Sequence, residues 1–382
     1  MPVNYQIGGS NFEDTFIRRD LFAQGGLWVW GAGNLGQLGT NNTTNRSSPV
    51  QTIAAGTNWK QTDTSNNYHT AAIKTDGTLW LWGRNADGQL GDNTNLDKSS
   101  PVQTVSAGTN WKQVACNYRN TAAIKTDGSL WVWGRGGNGQ MGNNTTTTQS
   151  SPVQTVSAGN NWKLAAVGVY HLAAIKTDGT LWSWGYGASG EMGDNTAAGK
   201  SSPVQTVSAG TDWKLVACGF YFTSAIKTDG TLWLWGNNTY GQLGDNTRTN
   251  KSSPIQTVAT GTNWKQVSAK YYYTAAIKTD GTLWTWGRNL YGELGDNTTA
   301  SKSSPVQTVA GGTNWKQVSS GAWITSAVKT DGTLWLWGLN DYGQIGDNTQ
   351  INKSSPVQTV AGGNNWKQVA SGYTSVAIKD DF

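Results

Sequence analysis

The chain has 382 residues, of which only 13% are charged, with 49 glycines and 22 tryptophans. That composition excludes a mainly helical protein, since long helices draw on Ala, Glu, Lys and Leu, whereas Gly, Thr, Val and Trp suit short strands and turns. The net charge of +5 does not mark a nucleic-acid binder, because fourteen of the twenty lysines sit in two recurring words, Asn-Trp-Lys (once Asp-Trp-Lys) and Ala-Ile-Lys (once Ala-Val-Lys), and one lysine per unit beside a recurring Asp reads as a solvated pattern.

Residues 1–26 stand outside the repeat. Phe12, Phe16, Ile17, Leu21 and Phe22 form an apolar stripe there, expected either as a flap on the main domain or as an attachment segment. No charged-then-apolar signal pattern precedes them, and no stretch approaches the roughly 18 apolar residues of a membrane span, so membrane insertion is not expected.

From residue 27 a unit of about 51 residues recurs. Trp-x-Trp-Gly begins at Trp28, Trp80, Trp131, Trp182, Trp233, Trp284 and Trp335, and a second tryptophan series runs Trp59, Trp111, Trp162, Trp213, Trp264, Trp315, Trp366. A period near fifty means a solenoid or a propeller. One unit reads as four short strands: 264–268, 274–278, the Leu-Trp-Thr-Trp-Gly run ending at Gly287, and 304–309 with proline near its start. Thr-Asp-Gly between the second and third marks a tight hairpin, with positive φ expected at both Asp and Gly. The first full strand lacks its Ala-Ile-Lys partner, and the last Ala-Ile-Lys strand has no Trp-x-Trp-Gly after it. The C-terminal strand is therefore expected beside Leu27–Gly31, which makes residues 27–382 an all-β, seven-bladed propeller of four-stranded blades.

The words from Ala71 to Gly91, AAIKTDGTLWLWGRNADGQLG, resemble the repeat of the regulator of chromosome condensation family, in register seven times over residues 27–382. The resemblance implies a seven-bladed propeller. Plant ultraviolet-B photoreceptors of this class use tryptophans in Gly-Trp-Arg-His-Thr. That tryptophan slot here holds Asn67, Tyr118, Val169, Phe220, Tyr271, Ala322 and Gly372, so photoreception is not implied. A nearer functional analogue is the propeller-type β-lactamase inhibitor, which binds its partner with aromatics on one face. The uniform repeat wording also resembles propellers of marine bacteriophages, particularly cyanophages. That likeness implies a virion component in host recognition or assembly, with residues 1–26 docking on a virion protein. The alternatives are a soluble cytoplasmic or exported inhibitor-like binder and a purely architectural virion subunit.

The units differ from one another mainly in two loops, after the first strand and after Trp-Gly. In an antiparallel blade these emerge on the same face. Twelve of the thirteen tyrosines, both histidines and the one tryptophan outside the two series fall in them. The binding face is accordingly expected to comprise Tyr68, His69, Tyr118, Arg119, Tyr170, His171, Tyr186, Phe220, Tyr221, Phe222, Tyr240, Tyr271, Tyr272, Tyr273, Tyr291, Trp323, Tyr342 and Tyr373. Tyr with Arg, Asn and Gly is the vocabulary of protein or glycan recognition. A structural role for the histidines is the competing reading. Cys116 and Cys218 share one slot with Ser65, Val167, Ala269, Ser320 and Ala370, expected to be small and buried rather than a disulfide. The recurring aspartates are turn residues. No catalytic constellation, metal site or cofactor is indicated, so the expectation is a binding protein and not an enzyme.

Overall fold

The computed structural model describes residues 25–380, apart from 55, 67, 107, 157, 158, 208, 209 and 260. The N-terminal flap or attachment segment expected at 1–26 thus lies almost wholly outside the described residues. Among them are twenty-eight strands, numbered β1 to β28 in chain order, which form seven antiparallel four-stranded sheets. Blade 1 is β3 (Trp59–Thr64), β4 (His69–Lys74), β5 (Leu79–Gly83) and β6 (Lys98–Gln103), and the pattern repeats through blade 6. Blade 7 is made from both ends of the described chain: β1 (Gly26–Gly31) lies between β2 (Arg46–Gln51) and β28 (Thr374–Lys379), next to β27 (Trp366–Ser371). Gly26 faces Lys379 and Gly31 faces Thr374, so the ring closes by the pairing anticipated from the repeat. The fourth strand differs slightly from expectation: in the unit read above it spans Lys302–Gln307, and Val309 lies beyond its end.

First strands of neighbouring blades touch all round the ring and enclose an axial channel. Glutamine two residues after the first-strand tryptophan clamps the next blade. Gln61 donates from Nε2 to the Val114 carbonyl at 3.1 Å and accepts the Val114 N–H at 3.1 Å. Gln113, Gln266, Gln317 and Gln368 do likewise, whereas blades 3 and 4 carry Leu164 and Leu215 there. The core lies between blades in seven apolar clusters. The second tryptophan of each Trp-x-Trp-Gly is fully buried in them and donates to a carbonyl of the preceding blade, as Trp82 does to Gln37 at 2.9 Å.

The Thr-Asp-Gly turn differs from the tight hairpin read from sequence. Only its glycine has positive φ, as at Gly77 (+81°). Asp76 instead accepts the Thr78 N–H and hydroxyl, and Thr78 accepts the Trp80 indole N–H. The turn word is constant because each side chain in this relay holds the next. The Ala-Ile-Lys lysines are not simply solvated either. Lys74 Nζ lies 5.0 and 4.9 Å from the Trp59 and Trp80 ring centroids, and the same sandwich recurs around the ring.

The cysteine slot, counted by strand pairing, holds Thr64 and Ser371 in blades 1 and 7, not Ser65 and Ala370. The loop that follows is one residue longer in blade 1 and one shorter in blade 7, which misplaced both by one. Cys116 and Cys218 are buried, and neither is in a disulfide among the described residues.

Candidate functional site: an aromatic loop face

Strand direction brings the two kinds of variable loop to one face. Tyr170 lies 6.1 Å from Tyr186 of the same blade, while Tyr240 lies 5.2 Å from Tyr272, Tyr291 5.6 Å from Trp323 and Tyr342 5.7 Å from Tyr373, each of these three joining a third-strand loop to the first-strand loop of the next blade. Contacts between blades then make one continuous ribbon. It runs from Tyr68 to Tyr118 (4.9 Å), Tyr170 (6.3 Å), Phe220 (5.5 Å), Tyr271 (5.1 Å), Trp323 (4.7 Å) and Tyr373 (5.2 Å). Tyr221 stacks on Tyr170 at 18° and Tyr272 on Phe220 at 19°. All these rings are half-buried, with an edge packed and part of the surface open. Neighbouring aromatics fix one another by edge-to-face and offset contacts, so little side-chain entropy remains to be lost on binding.

Two hairpins show how the backbone lifts these rings. Tyr118-Arg119 and Tyr271-Tyr272 are two-residue loops between paired Asn117 and Asn120 and paired Lys270 and Tyr273. Their first residues have φ of 46° and 52°, and Trp323 in blade 6 has 61°. Glycine is the usual occupant of such conformations, which cost a bulky residue on the order of 1–3 kcal/mol. Aromatic side chains are held there against that cost.

Three arginines are built into the ribbon. Arg288 is only 8% exposed, and its guanidinium carbon lies 5.2–6.0 Å from the centroids of Trp323, Tyr291, Tyr271 and Tyr240. Its Nη1 is 3.5 Å from Glu293 Oε1. Arg119 lies 5.1 Å from the Tyr118 ring and pairs with Asp87 at 3.5 Å. Arg84 sits 4.6 Å over Tyr68. Arg84 and Arg288 were absent from the expected site, although both open the variable stretch after Trp-Gly. Burial pushes the Tyr272 hydroxyl up to about 12, so it remains a neutral donor at physiological pH.

Four of the expected face residues are not on it. His69, His171, Phe222 and Tyr273 are fully buried. They open the second strand, and strand alternation turns them into the interface with the next blade. His69 Nε2 is 2.8 Å from Thr121 Oγ1, whose hydroxyl donates to the Gln89 carbonyl. The imidazole must therefore carry its proton on Nε2, which leaves Nδ1 buried without a partner. His171 repeats this arrangement with Thr223 at 2.9 Å. Burial lowers both histidines to about 3. The Tyr273 hydroxyl donates to the Ile324 carbonyl at 2.5 Å and accepts from Gly321 N and Thr325 Oγ1.

Below the ribbon, a slot filled by glutamine in blades such as 1 and 2 (Gln89, Gln140) holds a fully buried glutamate at Glu191 and Glu293. Glu191 Oε2 accepts the Ser189 N–H at 2.9 Å, while Oε1 is buried without a partner. Burial raises both carboxyls to about 7. A raised carboxyl favours folding while protonated, and ionisation removes that advantage as pH rises from the unfolded value near 4.5 through 7. Glu191→Gln should therefore stabilise the protein by about 1–3 kcal/mol at pH 8, with the gain vanishing near pH 4.5. Urea titrations at the two pH values measure this, and an equal gain at both would contradict the burial argument.

Among the described residues no helix is long and apolar enough to cross a membrane, and no group of three or more His, Cys, Asp or Glu is placed to hold a metal ion. A family model, the RCC1-like domain, matches residues 26–378. The chain is 31% identical over 334 residues to the ultraviolet-B receptor UVR8 of Arabidopsis thaliana, covering 86% of this chain and 76% of that one. It is 27% identical over 376 residues to the regulator of chromosome condensation of Xenopus laevis, covering 87% and 84%. The solved structure of Prp20p from Saccharomyces cerevisiae superposes with a TM-score of 0.86 at 18% identity, over 97% of this chain and 94% of that one, and shares the fold. With its seven blades and its matched repeats, this chain belongs to the RCC1-like domain family.

Proposed function

We propose that the protein is a non-enzymatic binding propeller that docks a protein partner on the ribbon running from Tyr68 to Tyr373. The observation that carries this reading is the pre-packed aromatic belt over all seven blades, held by loops that accept backbone strain to present it. Tyr, Trp and Arg are the residue types that dominate protein interfaces. A belt crossing the whole face suits a protein surface better than a single sugar. The light sensing named for the Arabidopsis relative is not supported, since the tryptophan slot of that motif holds no tryptophan here. A virion role, with the face directed at a host surface and residues 1–26 docked on a neighbour, rests only on the uniform repeat wording; tail or capsid genes beside this one would support it. Otherwise the localisation proposed is cytoplasmic.

The test compares partner capture by the wild type with capture by Tyr271→Gly plus Trp323→Gly, glycine being chosen because both positions have positive φ. Each truncation should weaken binding by about 2 kcal/mol, roughly 30-fold, without unfolding the ring. Equal retention by the folded variant would overturn the reading, and loss of binding to a glycan array alone would move it from protein to glycan recognition.

A further inference from the structure

Cations are unevenly engaged around the ring. The fourteen lysines of the two repeat words open first strands or close second strands, so they stand at the opposite, lysine end of every blade. On the ribbon side, Lys98, Lys200, Lys251, Lys302 and Lys353 each lie 3.4–3.7 Å from an aspartate of their own loop. Lys270 is buried in a bridge between blades 5 and 1, its Nζ 3.3 Å from Asp63 Oδ1 and 2.6 Å from the Thr64 carbonyl. Arg288 is covered by its four rings beside Glu293. Arg46 and Arg248 lie on or just before a fourth strand, at the rim.

Arg84, Arg119 and Arg135, on blades 1 and 2, are placed differently. Backbone bonds tie their loops together: the Arg84 N–H donates to the Tyr68 carbonyl at 2.7 Å and the Arg135 N–H to the Arg119 carbonyl at 3.1 Å. The Arg84 guanidinium carbon lies 4.6 Å from the Tyr68 centroid. That of Arg119 lies 5.1 Å from Tyr118 and 6.0 Å from Tyr68. The Tyr118 hydroxyl is drawn below its ordinary range by its hydrogen bond with Tyr68, and then, against burial, by the charges of Arg119 and Arg135. All five side chains are half-buried. Arg119 pairs with Asp87 at 3.5 Å, but among the described residues no carboxylate pairs with Arg84 or Arg135. The other aspartates of these loops are engaged, Asp92 by Lys98 and Asp97 by the Asn85 N–H at 2.7 Å.

From this placement we propose that Arg84, Arg119 and Arg135, with Tyr68 and Tyr118, dock an acidic segment of the partner, rich in Asp or Glu; this rests on the reading of the ribbon as a protein-binding face. A guanidinium lying over a ring has its plane fixed in advance and keeps its edge N–H groups for a carboxylate. Asp87 on Arg119 is one such pairing within the chain. The other sector of the ribbon, Tyr271, Tyr272 and Trp323 around a paired Arg288, offers ring surface and suits apolar side chains. The partner is thereby oriented, its acidic part over blades 1 and 2 and its apolar part over blades 5 and 6. Three guanidiniums are few beside the roughly 6–10 phosphate contacts of a nucleic-acid binder, so an acidic peptide is favoured over a nucleic acid.

Fluorescence anisotropy of a dye-labelled octaglutamate peptide with the full chain at low salt tests the surface, with octaglutamine as the uncharged probe. Octaglutamate should bind saturably, at least about tenfold more tightly than octaglutamine, and lose that advantage at high salt. Arg84→Gln with Arg119→Gln should weaken it by about tenfold or more. Lys112→Gln with Lys163→Gln removes the same charge from the lysine end and should change it less than about twofold. Arg84→Lys keeps both charge and fold and should still lose about threefold, because an ammonium lacks the planar fork. Octaglutamate binding no better than octaglutamine, equal weakening by the arginine and lysine pairs, or tighter binding of an eight-nucleotide thymidine oligomer would each overturn the proposal. If octaglutamate fails while partner capture still depends on Tyr271 and Trp323, the acidic segment alone is refuted and the ribbon stands as a protein-binding face.

Discussion

Acidification from pH 4.5 to 3.5 should destabilise the ring steeply, and replacing His69 and His171 by phenylalanine should remove most of that loss. Both imidazoles have folded values of about 3 against an ordinary 6.5. A histidine depressed on folding leaves the unfolded chain with more bound protons between those values, so stability is full above 6.5 and is lost as pH falls towards 3. The cause is specific. A second proton must go to Nδ1, which is buried with no acceptor, while Nε2–H is already given to a threonine of the next blade. Each histidine should account for on the order of 3 kcal/mol over that range. The buried glutamates act in the opposite sense between about 4.5 and 7, so the wild-type profile should be nearly flat from 4.5 to 6.5 and break sharply below. Phenylalanine fits the slot, as Phe222 shows in blade 4. Turn aspartates such as Asp178, held low by their hydrogen bonds to Thr180, also lose stability in acid and remain in the double variant. The measurement is urea unfolding against pH for both proteins, and identical slopes below pH 4.5 would rule the histidines out.

Gly346→Ala should be nearly as damaging at every pH. Gly346 has φ of +72°, and a methyl group there would stand 2.8 Å from Trp30 Nε1 and 3.0 Å from Cδ1. Trp30 is fully buried and donates to the Gln344 carbonyl at 2.8 Å, locking blade 6 to the closing blade. The ring cannot shift without opening the apolar cluster around Trp366 and Ile345. Displacing a core tryptophan and straining the backbone together should cost about 3–5 kcal/mol. Gly311 is the control: its φ is +50°, but a methyl there meets nothing within 4 Å. Gly311→Ala should cost only about 1 kcal/mol. Equal losses in the two variants would show that backbone strain, and not the tryptophan lock, sets the penalty.

The architecture was readable because the tryptophans carry it. A core side chain recurring at one spacing fixes blade number, and the half-units at each end fix closure. Side-chain orientation within the variable loops was harder to read. His69, Ala71 and Ile73 share one side of their strand, and all three are buried. That alternation, extended one residue towards the loop, separates Tyr272, on the face, from Tyr273, beneath it. At Asn120 the change in the histidine slot accompanies a change in the neighbouring blade. Asn120 occurs where the next blade offers Leu172 in place of threonine, and its side chain turns to the Arg135 carbonyl at 2.6 Å. The Arg288 cluster and the Lys270–Asp63 bridge join residues from separate blades, which spacing along one chain does not reveal. The misassigned cysteine slot came from two loops that depart from the common length by a single residue.

The seam between β1 and β28 also decides orientation. Gly26 and Lys379 are paired neighbours at the lysine end of the closing blade. The chain therefore enters β1 and leaves β28 on the side remote from the tyrosine belt, and a polypeptide fused after Lys379 starts from that side. An immobilising tag or a tethered module placed there would hold the propeller by its back and leave the aromatic surface pointing outward, unobstructed.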